Sequence, residues 1–286
     1  MDNLPDIQEQ EPIYHIPINR VGIENLELPF DLLLRNGKTI RMIANVSLST
    51  DLDRDKKGIS MSRLLIAIEK FLYEGLNWDV IKNSLDYIAT KIESDNSYVK
   101  FDFSLPINKI SPLSKNVFPM FYKCCFEGFL QEKEYKFLQH VEVQYSSYCP
   151  CSAALSENLE EKGFSKGFPH AQRSFAKIIL NMFLENRNDK YLWLEDIIDI
   201  VNINIHTQPY PIIKRIDEQE IAKIAANNPL FVEDAIRIIS YHLDKLMGNS
   251  IIDWIVKCKH EESIHAHEAF AVNYANVKNG FGVNDI

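Results

Sequence analysis

The sequence predicts an α+β protein in which antiparallel strand pairs alternate with segregated helices. Three observations carry this. Runs rich in β-branched and apolar residues come in pairs, and segments with apolar residues at helical spacing lie between them. The order strand-strand-helix-helix-strand-strand then occurs twice along the 286 residues. Neither a GxGxxG nor a P-loop motif is present, so a doubly wound nucleotide-binding sheet is not expected.

Residues 1–20 are polar and contain several prolines, which reads as an extended arm. Leu26–Arg35 and Lys38–Ser49 read as strands, joined by Asn36-Gly37, a pair favoured in two-residue hairpin turns. After the charged loop DLDRDKKG, Met61–Leu76 carries Leu64, Leu65, Ile68, Phe71 and Leu72 at helical spacing. Asp79–Ile92 repeats that period with Val80, Ile81, Leu85 and Ile88. Strands at Tyr98–Leu105 and Val117–Leu130 close the first half. The second half begins with extended stretches at Tyr135–Tyr148 and Gln172–Phe183. Helical patterns follow at Trp193–Ile205, Asp217–Ala226 and Val232–Met247, the last with Glu233 and Asp234 in its first turn, which suits the helix dipole. Ile251–Lys259 and His265–Val277 complete the order as strands. The organisation expected is therefore an arm (1–20), a first module (21–132) and a second module (133–286).

The net charge of -9 leaves no excess of cations to neutralise a phosphate backbone, so a general nucleic-acid binder is not expected. No apolar stretch approaches the ~20 residues of a membrane span, so no membrane partner is expected. The acidic start MDNLPDIQEQEPIYH lacks the basic and apolar regions of a secretory signal. Cytoplasmic residence is the expectation. The five cysteines then read as reduced thiols, with Cys124, Cys125 and Cys258 in apolar runs that suit small buried hydrophobes.

Three clusters stand apart. In YCPCS, Cys149 and Cys151 flank Pro150; a thiolate is a good ligand for Zn²⁺ or Fe²⁺, although C-x-C alone is weak evidence. In FPHAQRS, His170 follows Pro169 and precedes polar residues, a setting for a ligand or for an ordinary structural hydrogen bond. In KHEESIHAHE, His265 and His267 alternate, which on a strand puts both on one face, and Glu262 lies three residues earlier. A solvated strand end would read the same way. Together, however, a mixed Cys/His/Glu set suits a catalytic metal with an open position better than a closed structural one. Nearby histidines can move protons at neutral pH.

These motifs resemble those of the type IB GTP cyclohydrolases, a tunnelling-fold family. The resemblance runs through Asn19-Arg-Val-Gly22, Asp51-Leu-Asp53 with Lys57-Gly-Ile-Ser-Met-Ser-Arg63, Cys149-Pro-Cys-Ser152 and His170-Ala-Gln-Arg-Ser174. It continues through Lys214-Arg-Ile-Asp-Glu218, Asn228-Pro-Leu-Phe-Val-Glu-Asp234 and Glu262-Ser-Ile-His-Ala-His267. It implies tandem ββααββ modules with antiparallel sheets, associating as a homo-oligomer, usually a tetramer, with sites at subunit interfaces. It implies one divalent metal per site (Zn, Mn or Fe) on Cys149, His170 and Glu262, with Cys151, His265 and His267 close by as catalytic groups. The implied reaction is attack of a metal-bound hydroxide on C8 of the guanine of GTP, giving formate and 7,8-dihydroneopterin triphosphate.

Two positions depart from the pattern. Where the family carries a glutamate that grips the guanine N–H edge, an ungapped alignment places Lys223, and an ammonium has donors only. Glu220, one turn earlier, substitutes only if the segment rotates or slips. Gln208 stands where some members have a carboxylate ligand, and the segment ENLEEKGFSKG lengthens the loop between Cys151 and His170. Three readings follow: a GTP cyclohydrolase; a related metal-dependent hydrolase or cyclohydrolase acting on a non-guanine substrate, with an anion facing Lys223; and a non-catalytic homologue that binds a small molecule.

Overall fold

The computed structural model describes residues 7–8, 10–69, 75–165, 167–183 and 192–286. Along the chain the order is ββααββ and then ββααββ again, the second time with two added helices. Among the described residues eight strands follow one another in chain order, and the pairings detailed below are antiparallel. Two compact units result. The first comprises the described part of Met1–Phe103 with Cys125–Gln139, and the second Ser104–Cys124 with the described part of His140–Ile286.

In the first unit β1 (Ile18–Leu33) pairs with β2 (Thr39–Leu52), and β2 pairs with β3 (Ser97–Ile110). Where β2 and β3 pair, alternate residues are buried, among them Ala44, Val46 and Leu48, and Val99, Phe101 and Phe103. Helices α1 (Met61–Glu69) and α2 (Trp78–Ile92) pack on this sheet and supply Leu64, Ile68, Ile81, Leu85 and Ile88 to the core. Asn77 caps α2 by accepting from the Val80 N–H at 2.9 Å. Strand β4 (Val117–Gln131) carries Gly128 beneath α2, where a Cβ would stand 2.3 Å from Ile81 Cγ2. The close approach of helix and strand excludes any side chain there.

Three expectations are corrected in this region. Strand β1 starts at Ile18, so the arm stops short of residue 20. The hairpin loop has three residues, Arg35 to Gly37: the Gly37 N–H bonds Leu34 O, Leu34 N–H bonds Lys38 O, and Gly37 takes a φ of 77°. That is a type I turn followed by a left-handed glycine, not the two-residue form. Helix α1 is described over Met61–Glu69; Phe71 and Leu72 of the expected longer helix lie outside the described residues, and Gly75 and Leu76 at its expected end are not helical.

In the second unit β6 (Ala171–Met182) pairs with β7 (Ile251–Glu261), and β7 with β8 (Glu268–Tyr274). Strand β5 (Glu134–Tyr148) leads into α3 (Pro150–Glu161). Helices α4 (Leu194–Asn204), α5 (Arg215–Asn227) and α6 (Val232–Asp244) separate β6 from β7, and α6 packs against β7 and β8. Helix α3 is a further correction: part of the segment expected as loop continues the turn started by Pro150, a residue suited to a first helical position. The start of α5 is held by Asp217, which is fully buried. Its carboxylate accepts from the N–H groups of Leu113 (2.8 Å), Ser114 (2.9 Å) and Lys214 (2.8 Å), and from the Ser114 hydroxyl. Burial pushes this acid up, but the Ser114 bonds and backbone donors outweigh it and hold it well below the usual carboxylate range.

Candidate functional site

The inward faces of β5, β6 and β7 are apolar for most of their length. On β5 the buried alternate residues are Val141 and Val143, on β6 Ala176, Ile178 and Leu180, and on β7 Trp254, Val256 and Cys258. Continued at the same two-residue period toward one end, each face turns polar: Tyr145 and Ser147, Ser174 and Gln172, and His260. All five are buried, so each needs a partner. Tyr145 Oη lies 3.0 Å from His260 Nε2, Ser147 Oγ 3.2 Å from His260 Nδ1, and Ser147 Oγ 2.7 Å from Ser174 Oγ. The Gln172 side-chain amide lies 3.3 Å from His260 Nδ1 and donates to Glu262 Oε1 at 3.3 Å. Burial pushes the His260 imidazole down to about 4, so the ring is neutral at physiological pH. Burial also pushes the neighbouring Tyr145 hydroxyl up, and the Cys258 thiol up to about 12.

Beyond this polar end lie the sequence-predicted donors. His170 immediately precedes β6 and Glu262 immediately follows β7; their side chains are 13% and 12% exposed, with His170 Nδ1 and Glu262 Oε2 3.9 Å apart. His170 Nδ1 is buried and has no hydrogen-bond partner among the described residues. Cys149 is tied in through the backbone, its N–H bonding His170 O at 3.2 Å. It occupies the N-cap of α3 in an extended conformation, and its thiol makes no capping bond. Cys151 follows in the first turn of α3 and is exposed.

The remaining predicted residues form separate pairs. His265 and His267 sit in a bend before β8, not on a strand as expected, because β8 starts only at Glu268. Their exposed rings stack on one another, centroids 4.9 Å apart. Lys223 and Glu220 lie on α5 and pair with each other at 3.4 Å, the lysine side chain 69% exposed. Gln208 donates its amide to the Asn202 carbonyl at the end of α4.

In the first unit, two sequence motifs meet around a cleft of about 470 Å³, whose lining includes Asn19, Arg20, Asp51, Asp53 and Lys56. Arg20 donates to Ser49 Oγ at 2.8 Å and lies 3.7 Å over the Tyr98 ring.

The family model described as type I GTP cyclohydrolase folE2 matches residues 4–271. The chain belongs to this family. It is 36% identical to a GTP cyclohydrolase FolE2 of Roseobacter denitrificans over 258 residues, covering 89% of this chain and 68% of that one. It is 32% identical to a GTP cyclohydrolase FolE2 of Nitratidesulfovibrio vulgaris over 269 residues, covering 94% and 95%. Among solved structures, a uricase from Arthrobacter globiformis aligns with a TM-score of 0.53 at 7% identity, over 90% of this chain and 92% of that one. A uricase from Bacillus fastidious aligns equally well, at 9% identity over 89% and 92%. These likenesses concern the fold alone, and they agree with the tunnelling fold expected from the resemblance.

Members of this family are metal-dependent. Cys149, His170 and Glu262 fit a divalent ion in donor chemistry, offering a soft thiolate, an imidazole and a hard carboxylate. The buried, unpartnered Nδ1 of His170 facing a carboxylate oxygen is the observation that supports the fit. Sequence reasoning assigned no role to Gln172, His260 or Tyr145. The signal was there in the two-residue period that runs from Cys258 through His260 to Glu262.

Proposed function

We infer that this protein opens the imidazole ring of the guanine of GTP by hydrolysis, releasing formate and forming 7,8-dihydroneopterin triphosphate. Cys149, His170 and Glu262 hold one divalent cation, Zn, Mn or Fe. When bound, that cation would supply Lewis acidity for the ring opening. The chain's own residues do the rest. Glu262 and Cys149 bring negative charge that balances the cation, and His170 contributes a neutral nitrogen. His265 and His267, adjacent and exposed, exchange protons with substrate and solvent as water adds at C8 and the ring C–N bonds break. Cys151 sits in the same helical turn as Cys149 and contributes a second thiol to proton transfer. The protein works in the cytoplasm as a homotetramer.

The observation that carries this reading is the approach of His170 Nδ1 to Glu262 Oε2, with the Cys149 backbone tied to His170, in a chain of this family. The test is incubation of the purified protein with GTP and Mn²⁺, Zn²⁺ or Fe²⁺, followed by assays for formate and for fluorescent oxidised pterin. Absence of both products with every metal overturns it.

One observation favours a second reading, in which the same centre acts on a different, anionic heterocycle. Lys223 stands where a guanine-gripping acceptor is expected, and its ammonium suits an anion instead. Turnover of GTP that appears only in Lys223→Glu selects this reading. Wild-type turnover at full rate removes it.

A further inference from the structure

The polar end of the second unit contains more buried hydrogen-bonding chemistry than three metal donors require. We propose that Gln172 is a positioning residue for the metal centre: held in place by His260 and Tyr145, its amide orients the Glu262 carboxylate. This rests on the donor set proposed above.

The Glu262 carboxylate can only accept, and this sets the direction of the bonds from Gln172 through His260 to Tyr145. A glutamine amide nitrogen carries two hydrogens, and here two acceptors lie 3.3 Å from it, His260 Nδ1 and Glu262 Oε1. The opposite amide orientation would set its carbonyl oxygen against a carboxylate oxygen and a ring lone pair. With Nδ1 accepting, the His260 proton sits on Nε2, where Tyr145 Oη waits at 3.0 Å. Ser147, locked to Ser174, approaches the same Nδ1 at 3.2 Å. Tyr145, Ser147, Ser174 and His260 are at most 1% exposed and Gln172 is 7% exposed, so the linkage is rigid and sheltered from water.

Two features separate this arrangement from simple core satisfaction. Residues of similar size but apolar would complete the strand faces without any buried polar group. In addition, Gln172 Oε1 is itself buried with no partner among the described residues, so the amide is not kept to satisfy itself. What the amide does achieve is asymmetric: it engages only Oε1 of Glu262 and leaves Oε2 turned toward His170 Nδ1 at 3.9 Å. Supports of this kind fix the orientation of a metal-ligating carboxylate and tune its affinity.

The experiment titrates metal-free protein with Co²⁺, following the thiolate-to-cobalt absorption and the ligand-field bands, with affinity measured against a competing chelator. Wild type and Gln172→Leu are both expected to bind one equivalent, with Gln172→Leu weaker by about 10–100-fold and its ligand-field bands altered. The thermal midpoint of metal-free Gln172→Leu is expected to stay close to wild type. Tyr145→Phe, which removes one hydroxyl at the far end of the linkage, is expected to weaken cobalt at least about threefold, and it carries the test should Gln172→Leu not fold. Affinity and spectrum equal to wild type in the folded variants overturn the inference. Glu262→Ala separates the two levels: if it binds cobalt as wild type does, or if wild type binds none, the donor set itself is wrong. If Glu262→Ala loses cobalt while the Gln172 and Tyr145 variants keep it unchanged, only the positioning role falls.

Discussion

Two regions of the second unit treat their polar side chains in opposite ways. At the strand end, Glu262 is gripped through Gln172 by a buried linkage drawn from β5, β6 and β7. On the outer face of α5, Lys223 has a single i,i+3 partner, Glu220, in open water. The first region has one arrangement available to it. The second can relax on removal of any one atom, because exposed pairs of this kind contribute little. The difference teaches where the family's chemistry is built into the fold and where it is only carried on its surface. Side chains braced by three strands cannot change without disturbing the core, whereas a residue on an exposed helical face can.

The largest effect that would break this contrast comes from the braced side. Glu262→Ala should abolish stoichiometric metal uptake, read by elemental analysis of the purified protein, and reduce turnover to background. A variant that keeps its metal would mean the strand end is not the centre. Next comes Lys223→Glu, which restores an acceptor. If guanine is the base recognised, GTP turnover should rise by about 2 kcal/mol or more of transition-state binding, at least about thirtyfold in kcat/KM. No change would mean that α5 does not meet the base.

Acid sharpens the comparison further. The groups that face His260 are Tyr145, Ser147 and Gln172, all uncharged at neutral pH, with Glu262 one bond beyond. Its imidazole stays neutral down to about pH 4 in the folded protein, against an ordinary value of 6.5. Between these values the unfolded chain binds the proton and the folded one does not. Stability is therefore complete above about pH 6.5 and is lost as pH falls toward 4, by about 2 kcal/mol at pH 5. Urea midpoints at pH 7 and pH 5 should show this loss, and His260→Asn should flatten it. The smallest effect belongs to the surface. Lys223→Ala should shift unfolding free energy by less than about 0.5 kcal/mol, a null result that chemical denaturation can confirm.

Most of the fold was legible in the sequence because its strands obey a strict two-residue period and its helices a helical one. Val46 and Leu48, or Ile81, Leu85 and Ile88, announce both their element and the side that is buried. What was illegible had local causes. The hairpin at Asn36-Gly37 takes a longer loop because Gly37 alone adopts the left-handed conformation. Helix α3 has no fully buried residue and so no apolar stripe to reveal it. In the site, the proposed donors Cys149, His170 and Glu262 stand out by residue type alone. Gln172 and His260 do not, because a glutamine and a histidine at a strand end look solvated until their burial is known. The placement of His265 and His267 failed for the reverse reason: alternation suggested a strand where the chain makes a bend.

The seat of α5 has a consequence for how such a protein changes over generations. Asp217 ties the helix to the loop at Leu113 and Ser114 while also closing its first turn, so α5 is held through its buried residues, Asp217 and Ala225, and not through its outward ones. Mutations at Lys223 and Glu220 can therefore accumulate without a folding penalty, and selection on ligand choice can act on them independently of selection on stability. The helix is a fixed mount with an exchangeable outer surface, which on the proposed reading lets a lineage keep its catalytic centre while it tries new specificities.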